Sequence, residues 1–90
     1  MSSRSGGSIV RFYFHLRAGD QFHRDEEGID LPDPSWARGE AELAARELLA
    51  EAIKAGREQA PEAFVIADEG GREIDIFPVA AVLPKPFRRE

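Results

Sequence analysis

Apolar and polar positions alternate with two different periods along this chain, and each period predicts an element. From Ile9 to Arg17, Val10, Phe12, Phe14 and Leu16 alternate with Ile9, Arg11, Tyr13, His15 and Arg17, the period of a half-buried strand. The even set is expected to face a core, leaving basic and aromatic groups together on the other side. From Asp33 to Gly56 the period becomes helical. At about 100° per residue, Ala37, Ala41, Ala44, Ala45, Leu48, Leu49, Ala52 and Ala55 fall on one arc, away from Glu40, Glu47, Glu51 and Lys54. Asp33 suits the N-cap, Pro34 the first helical position and Gly56 the C-terminal stop. A face made mostly of methyl groups is nearly flat, and a sheet carrying large side chains is its natural complement.

The rest of the pattern supplies that sheet. Ala18-Gly19-Asp20 reads as a three-residue hairpin loop, which pairs Leu16 with Phe22 on the core face and His15 with His23 on the open face. Ile29 and Leu31 form a short extended piece ended by Pro32. Ala63 to Asp68 and Arg72 to Val79 form a second hairpin around the turn Asp68-Glu69-Gly70-Gly71. The expected fold is α+β in the order β-β-α-β-β, with one long helix packed on one face of a small antiparallel sheet of three or four strands. Val65, Phe77 and Val79 are assigned to the open face. Trp36 lies off the helix's apolar arc and is expected to fold over the sheet edge or the preceding loop; Leu43 and Ile53 also lie off that arc. Residues 1–8 read as a disordered Ser/Gly-rich leader, 9–80 as a single domain and 81–90 as an extended Pro-containing tail.

Composition narrows the chemistry. The 90 residues contain no cysteine, which excludes disulfides, thiolate zinc sites and a cysteine nucleophile, and suits a cytoplasmic setting. A net charge of −5 argues against a general nucleic-acid binder. No apolar run approaches the roughly 20 residues that cross a bilayer, so no membrane role is expected. Nucleophile–base pairs and phosphate-cradling glycine loops are missing, so the chain is read as non-enzymatic and without a cofactor. A core this small gains from association, which favours a homodimer or a small protein partner.

The candidate binding face is Arg11, Tyr13, His15, Arg17 and His23. Basic and aromatic groups on an open sheet can stack bases and hold phosphates. Apolar neighbours on the same face favour cover by a second subunit or another protein, and nucleic acid ranks below that. His15 opposite His23, with Asp25 or Asp75 near, offers two histidines and no clear third ligand, so no metal site is assigned. The two acidic glycine turns lack the ligand spacing of a calcium loop.

The run Phe12-Tyr13-Phe14-His15-Leu16-Arg17, then Asp25-Glu26-Glu27-Gly28-Ile29-Asp30-Leu31-Pro32-Asp33, then an Ala/Glu/Leu helix resembles an uncharacterised family of short bacterial proteins, a domain of unknown function. The resemblance extends from about Phe12 to Pro78 and implies no activity, cofactor or catalytic residue. Members start almost directly at the first strand, which implies that Met1 to Ser8 is an appendage. A looser similarity is to HicB-like antitoxin domains, through an acidic-Gly turn, a Leu-Pro-Asp approach and an Ala/Glu-rich helix on a small sheet. That similarity implies an antitoxin-like or RNA-contacting role for the open face, without the separate DNA-binding segment that HicB repressors add.

Overall fold

In the computed structural model, which describes residues 9–84, three strands precede the helix and two follow it. They are β1 (Val10–Ala18), β2 (Gln21–His23), β3 (Ile29–Leu31), α1 (Pro34–Ala55), β4 (Ala63–Ala67) and β5 (Glu73–Pro78), followed by a 3₁₀ turn at Val79–Val82. The expected leader, and the tail from 85 onward, lie outside the described residues.

All strand pairs are antiparallel, in the order β2-β1-β4-β5, with β3 also on β1. The sheet therefore has five strands: the short extended piece at Ile29 and Leu31 is a strand in its own right. β2 pairs with Leu16–Ala18 and β3 with Val10–Phe12, so they form two halves of one broken edge strand.

The helix forms where the pattern places it. The Asp33 carboxylate accepts the Trp36 N–H at 3.0 Å, and Pro34 occupies the first turn. Gly56 ends the helix in the left-handed region, and the Arg57 N–H donates to the Ala52 carbonyl at 3.0 Å. Ala37, Ala41 and Ala45 are 0% exposed and lie against Phe12, Phe64, Ile66, Phe77 and Val79. Val10, Phe14 and Leu16 pack on the same cluster, so the even-numbered face of β1 is the core face. Each large side chain buried there contributes roughly 1.5–3 kcal/mol before chain entropy is subtracted. Arg38 clamps the outer strand, pairing with Asp75 at 2.8 Å while its guanidinium lies 4.9 Å from the centre of the Phe77 ring.

Several placements differ from the expectation, each for a local reason. The first hairpin has a two-residue loop, Gly19-Asp20, because Ala18 pairs with Gln21. Two-residue loops match the twist of the strands and need a positive φ at their first central position, which Gly19 supplies at 64°. The shift of one residue sends Phe22 to the open face and His23 to the helix side. Phe77 pairs with Phe64, so it and Val79 belong to the core, while Ile76, opposite Val65, belongs to the open face. Trp36 is exposed on the outside of α1 and covers neither edge nor loop. Ala55, the last helical residue, is also exposed. Ala81 and Val82 lie in the 3₁₀ turn packed on the core, so the tail is not extended from its start.

The close helix–sheet approach sets an expected outcome. Ala41→Leu forces a larger side chain into a layer with no spare volume and is expected to cost about 1–3 kcal/mol in urea unfolding. Ala55→Leu, at an exposed position, is expected to stay within about 0.5 kcal/mol of the parent.

Candidate functional site

The five residues 24–28 span only the three β1 residues 13–15, and that mismatch shapes the site. With no partner strand there, Asp25 takes over the edge. Its Oδ2 accepts the Phe14 N–H at 3.1 Å, and its Oδ1 accepts the Glu27 and Gly28 N–H groups at 3.1 and 3.2 Å. The Asp25 N–H donates to His15 Nδ1 at 3.0 Å. Nδ1 is thus the acceptor, and the ring proton of His15 sits on Nε2. Burial pushes the Asp25 carboxyl upward, but the N–H groups of Phe14, Gly28 and Glu27 outweigh it and hold the group below its ordinary value. Gly28 closes the loop at φ 75°, and a Cβ there would meet the Phe12 carbonyl oxygen at 2.9 Å and Arg11 Cγ at 2.7 Å.

The open face itself consists of two ridges and a trough. β4 contributes Ala63, Val65 and Ala67, all buried although no helix covers them. On one side stand Tyr13, His15, Arg17 and Phe22, with ring centroids 6.5 Å apart for Tyr13–His15 and 5.4 Å for His15–Phe22. On the other side are Ile76 and Ile74, the latter at the irregularity opposite Ile66 and Ala67. His15 is only 7% exposed, whereas Phe22, Ile76 and Ile74 are 45%, 43% and 37% exposed. The face keeps Tyr13, His15 and Arg17, and its exposed apolar groups are Phe22, Ile74 and Ile76 in place of the expected Phe77 and Val79.

At one end the trough opens into a cleft of about 400 Å³ between the 24–28 loop and the 68–71 turn. Tyr13 and His15 line it together with Asp25, Glu26, Asp68 and Glu69. The Asp68 carboxylate accepts the Gly70 and Arg72 N–H groups at 3.0 and 2.9 Å, which fixes the turn.

Of the residues predicted for the site, Tyr13, His15 and Arg17 share the open face. Arg11 lies at its margin and is already engaged. Its Nε and a terminal nitrogen donate to both Asp30 oxygens at 2.8 and 3.1 Å, and its other terminal nitrogen donates to the Glu27 carbonyl at 3.3 Å. The Asp30 hydrogen bond and charge raise the Arg11 pKa further, and the same bond lowers that of Asp30. The pair is half exposed, so solvent screens it and it adds little to stability. His23 does not belong to the site; it borders a groove on the helix side with Leu48 and Glu47. His15 and His23 consequently cannot share an ion from one chain. Sequence reasoning missed Phe22, Ile74 and Ile76. Their signal was present in the alternation, but it depended on hairpin register. No helix among the described residues is long and apolar enough to cross a membrane.

The model of one family, described as a domain of unknown function (DUF6894), matches residues 11–80, and the chain belongs to that family. Neither the curated proteins nor the solved structures contain a match to it.

Two outcomes follow from Asp25. Asp25→Ala strips the acceptor from three backbone N–H groups and is expected to cost about 1–3 kcal/mol, read by chemical unfolding. Because the folded-state pKa lies below the ordinary 3.8, the contribution of Asp25 is complete above that value and is lost as pH falls through the lower, folded one. Unfolding curves of Asp25→Ala and parent, followed into acid, are expected to converge in that window.

Proposed function

We propose that the chain is a non-enzymatic protein-interaction module that receives a segment of a partner protein on its open sheet face. The observation that carries this reading is the apolar trough of Ala63, Val65 and Ala67 between ridges that leave Phe22, Ile74 and Ile76 substantially exposed. Exposed apolar groups gathered on one face mark an interaction surface more often than groups scattered singly. The acidic cleft at the end of the trough adds a preference for a basic residue beside the partner's apolar ones. Recognition would run through side chains and not through strand addition. Alternation from the Val79–Glu62 bond places the Ile76 N–H on the outer edge of β5, where the Asp75 carboxylate takes it at 2.8 Å, and Pro78 has no N–H to offer. A reducing cytoplasm suits a cysteine-free module of this kind.

An HicB-like antitoxin or RNA-contacting role is the second reading. Arg17 beside the Tyr13, His15 and Phe22 rings favours it, since bases stack on such platforms. The engaged Arg11 and the carboxylates of the cleft oppose it, because both work against phosphate.

Display selection of random peptides on the full chain, followed by calorimetric titration of the enriched sequences, separates the two. Peptides combining aliphatic or aromatic residues with Lys or Arg are expected to emerge. Ile76→Glu and Phe22→Glu are each expected to weaken them by roughly thirtyfold, the ~2 kcal/mol of an interface hot spot. Glu58→Lys, away from the face, should leave affinity unchanged. Failure to enrich such peptides, together with salt-dependent RNA binding that Arg17→Ala removes, would establish the second reading instead.

A further inference from the structure

A second apolar surface lies on the outside of α1, diametrically opposite the alanine face. Trp36, Leu43 and Ile53 are 59%, 55% and 72% exposed, three of the large apolar side chains most open to solvent in the described chain. With Gly39 and Ala50 they fall within an arc of roughly 100°. Their positions follow a heptad seam, Trp36, Leu43 and Ala50 in one row and Gly39, Arg46 and Ile53 in the other. Gly39 sits in the middle of a helix, where glycine is unfavourable, and a Cβ placed there would meet nothing within 4 Å. The gap lies in a groove of about 290 Å³ bounded by Trp36, Leu43, Ser35 and Glu40. Among the described residues nothing fills it.

The order of sizes along the seam identifies the occupant. Laid antiparallel on a copy of itself about the midpoint of Pro34–Ala55, between Ala44 and Ala45, the helix sets Trp36 against the partner's Ile53. It also sets Gly39 against the partner's Ala50, and Leu43 against the stem of the partner's Arg46. Large meets large at the ends and small meets small between, so the backbones can approach where Gly39 leaves room. Arg46 is held by Glu42 on its own helix at 2.8 Å, so its charge is neutralised beside the seam. On the flank, the same register sets Lys54 within two positions of the partner's Asp33, and Glu40 within two positions of the partner's Glu47. A parallel arrangement would stack Arg46 on Arg46. The two-fold at the helix midpoint also uses the whole helix, as an isologous interface should.

We infer that the outer face of α1 is a homodimerisation seam, occupied by the same face of a second copy in antiparallel orientation. The seam is independent of the sheet face, and its test reads mass and not peptide binding.

Sedimentation of the full chain over a concentration series up to millimolar is expected to show a monomer–dimer equilibrium. Trp36→Glu and Leu43→Glu, both at exposed positions, are expected to raise the dissociation constant at least tenfold while leaving the circular dichroism of the monomer unchanged. Gly39→Leu, which has room in the monomer, is expected to have the same effect by blocking the close approach. Orientation is read by charge: Glu40→Lys, which only the antiparallel register sets near the partner's Glu47, is expected to tighten the dimer. A chain that stays monomeric at all concentrations overturns the inference. So does a dimer that survives Trp36→Glu and Leu43→Glu but dissociates with Ile76→Glu, which would place the copy on the sheet. A dimer that Glu40→Lys does not tighten overturns the antiparallel orientation.

Discussion

Close approach of a methyl-lined helix to a sheet of large side chains is the constraint on which the rest depends. Ala37, Ala41 and Ala45 leave no side chain of their own between α1 and the sheet, so Phe12, Phe64, Ile66 and Phe77 fill the layer. A core assembled this way is thin. One helix is enough to cover one face of a small sheet, and the described residues include no second α-helix to cover the other. An open sheet face is thus a direct consequence of how the covered face is built. The same geometry leaves the outside of α1 unused, because Ala37, Ala41, Ala45 and Ala52 point inward, while Trp36, Leu43 and Ile53 are left exposed.

The broken edge strand follows from a second constraint, the satisfaction of backbone polar groups. Five residues cannot run straight opposite three, so the chain between β2 and β3 bows outward and would orphan the N–H of Phe14. One carboxylate solves this by bonding that donor and two of the loop's own. The imidazole acceptor of His15 then fixes the position of Asp25 in turn. His15 owes its burial to this role and to its place between Tyr13 and Phe22, which makes it part of the scaffold of the open face more than a free ligand on it. Gly28 is held by the same bow, since any side chain there would strike the Phe12 carbonyl.

Much of this was legible in the sequence where a signal is local. Asp33-Pro34 and Gly56 marked both helix ends because caps act within one turn, and Phe12, Phe14 and Leu16 declared their face by period alone. The candidate site was harder to read because it depends on register. A loop of Gly19-Asp20 instead of three residues exchanged His23 for Phe22 on the open face. Phe77 and Ile76 differ by one position in a strand whose partner had to be known before either could be assigned a face. Trp36 was expected to fold over the sheet edge or the preceding loop, yet its angle on the helix, opposite the alanine arc, leaves it exposed. The role of Asp25 was not legible at all, since it answers a vacancy created by two strands pairing with the same edge.

These two exposed surfaces stand on opposite sides of one thin domain, and that placement has a consequence for how they would act together. In the proposed dimer the helices meet at the centre, so the two sheet faces point outward and away from each other. Neither face is blocked by assembly, and a ligand seated on one cannot touch the other. A partner carrying two suitable segments, or two copies of one, would be bound twice, its second contact favoured by the effective concentration that the first creates. Stability points the same way. A domain of this size has little core to draw on, and burying Trp36, Leu43 and Ile53 between two helices adds apolar burial without enlarging the chain. Covering the sheet face with the second copy would add burial too, but at the cost of a surface shaped by both a trough and an acidic cleft. The helix is the face that can be given up to self-association while leaving that recognition surface free.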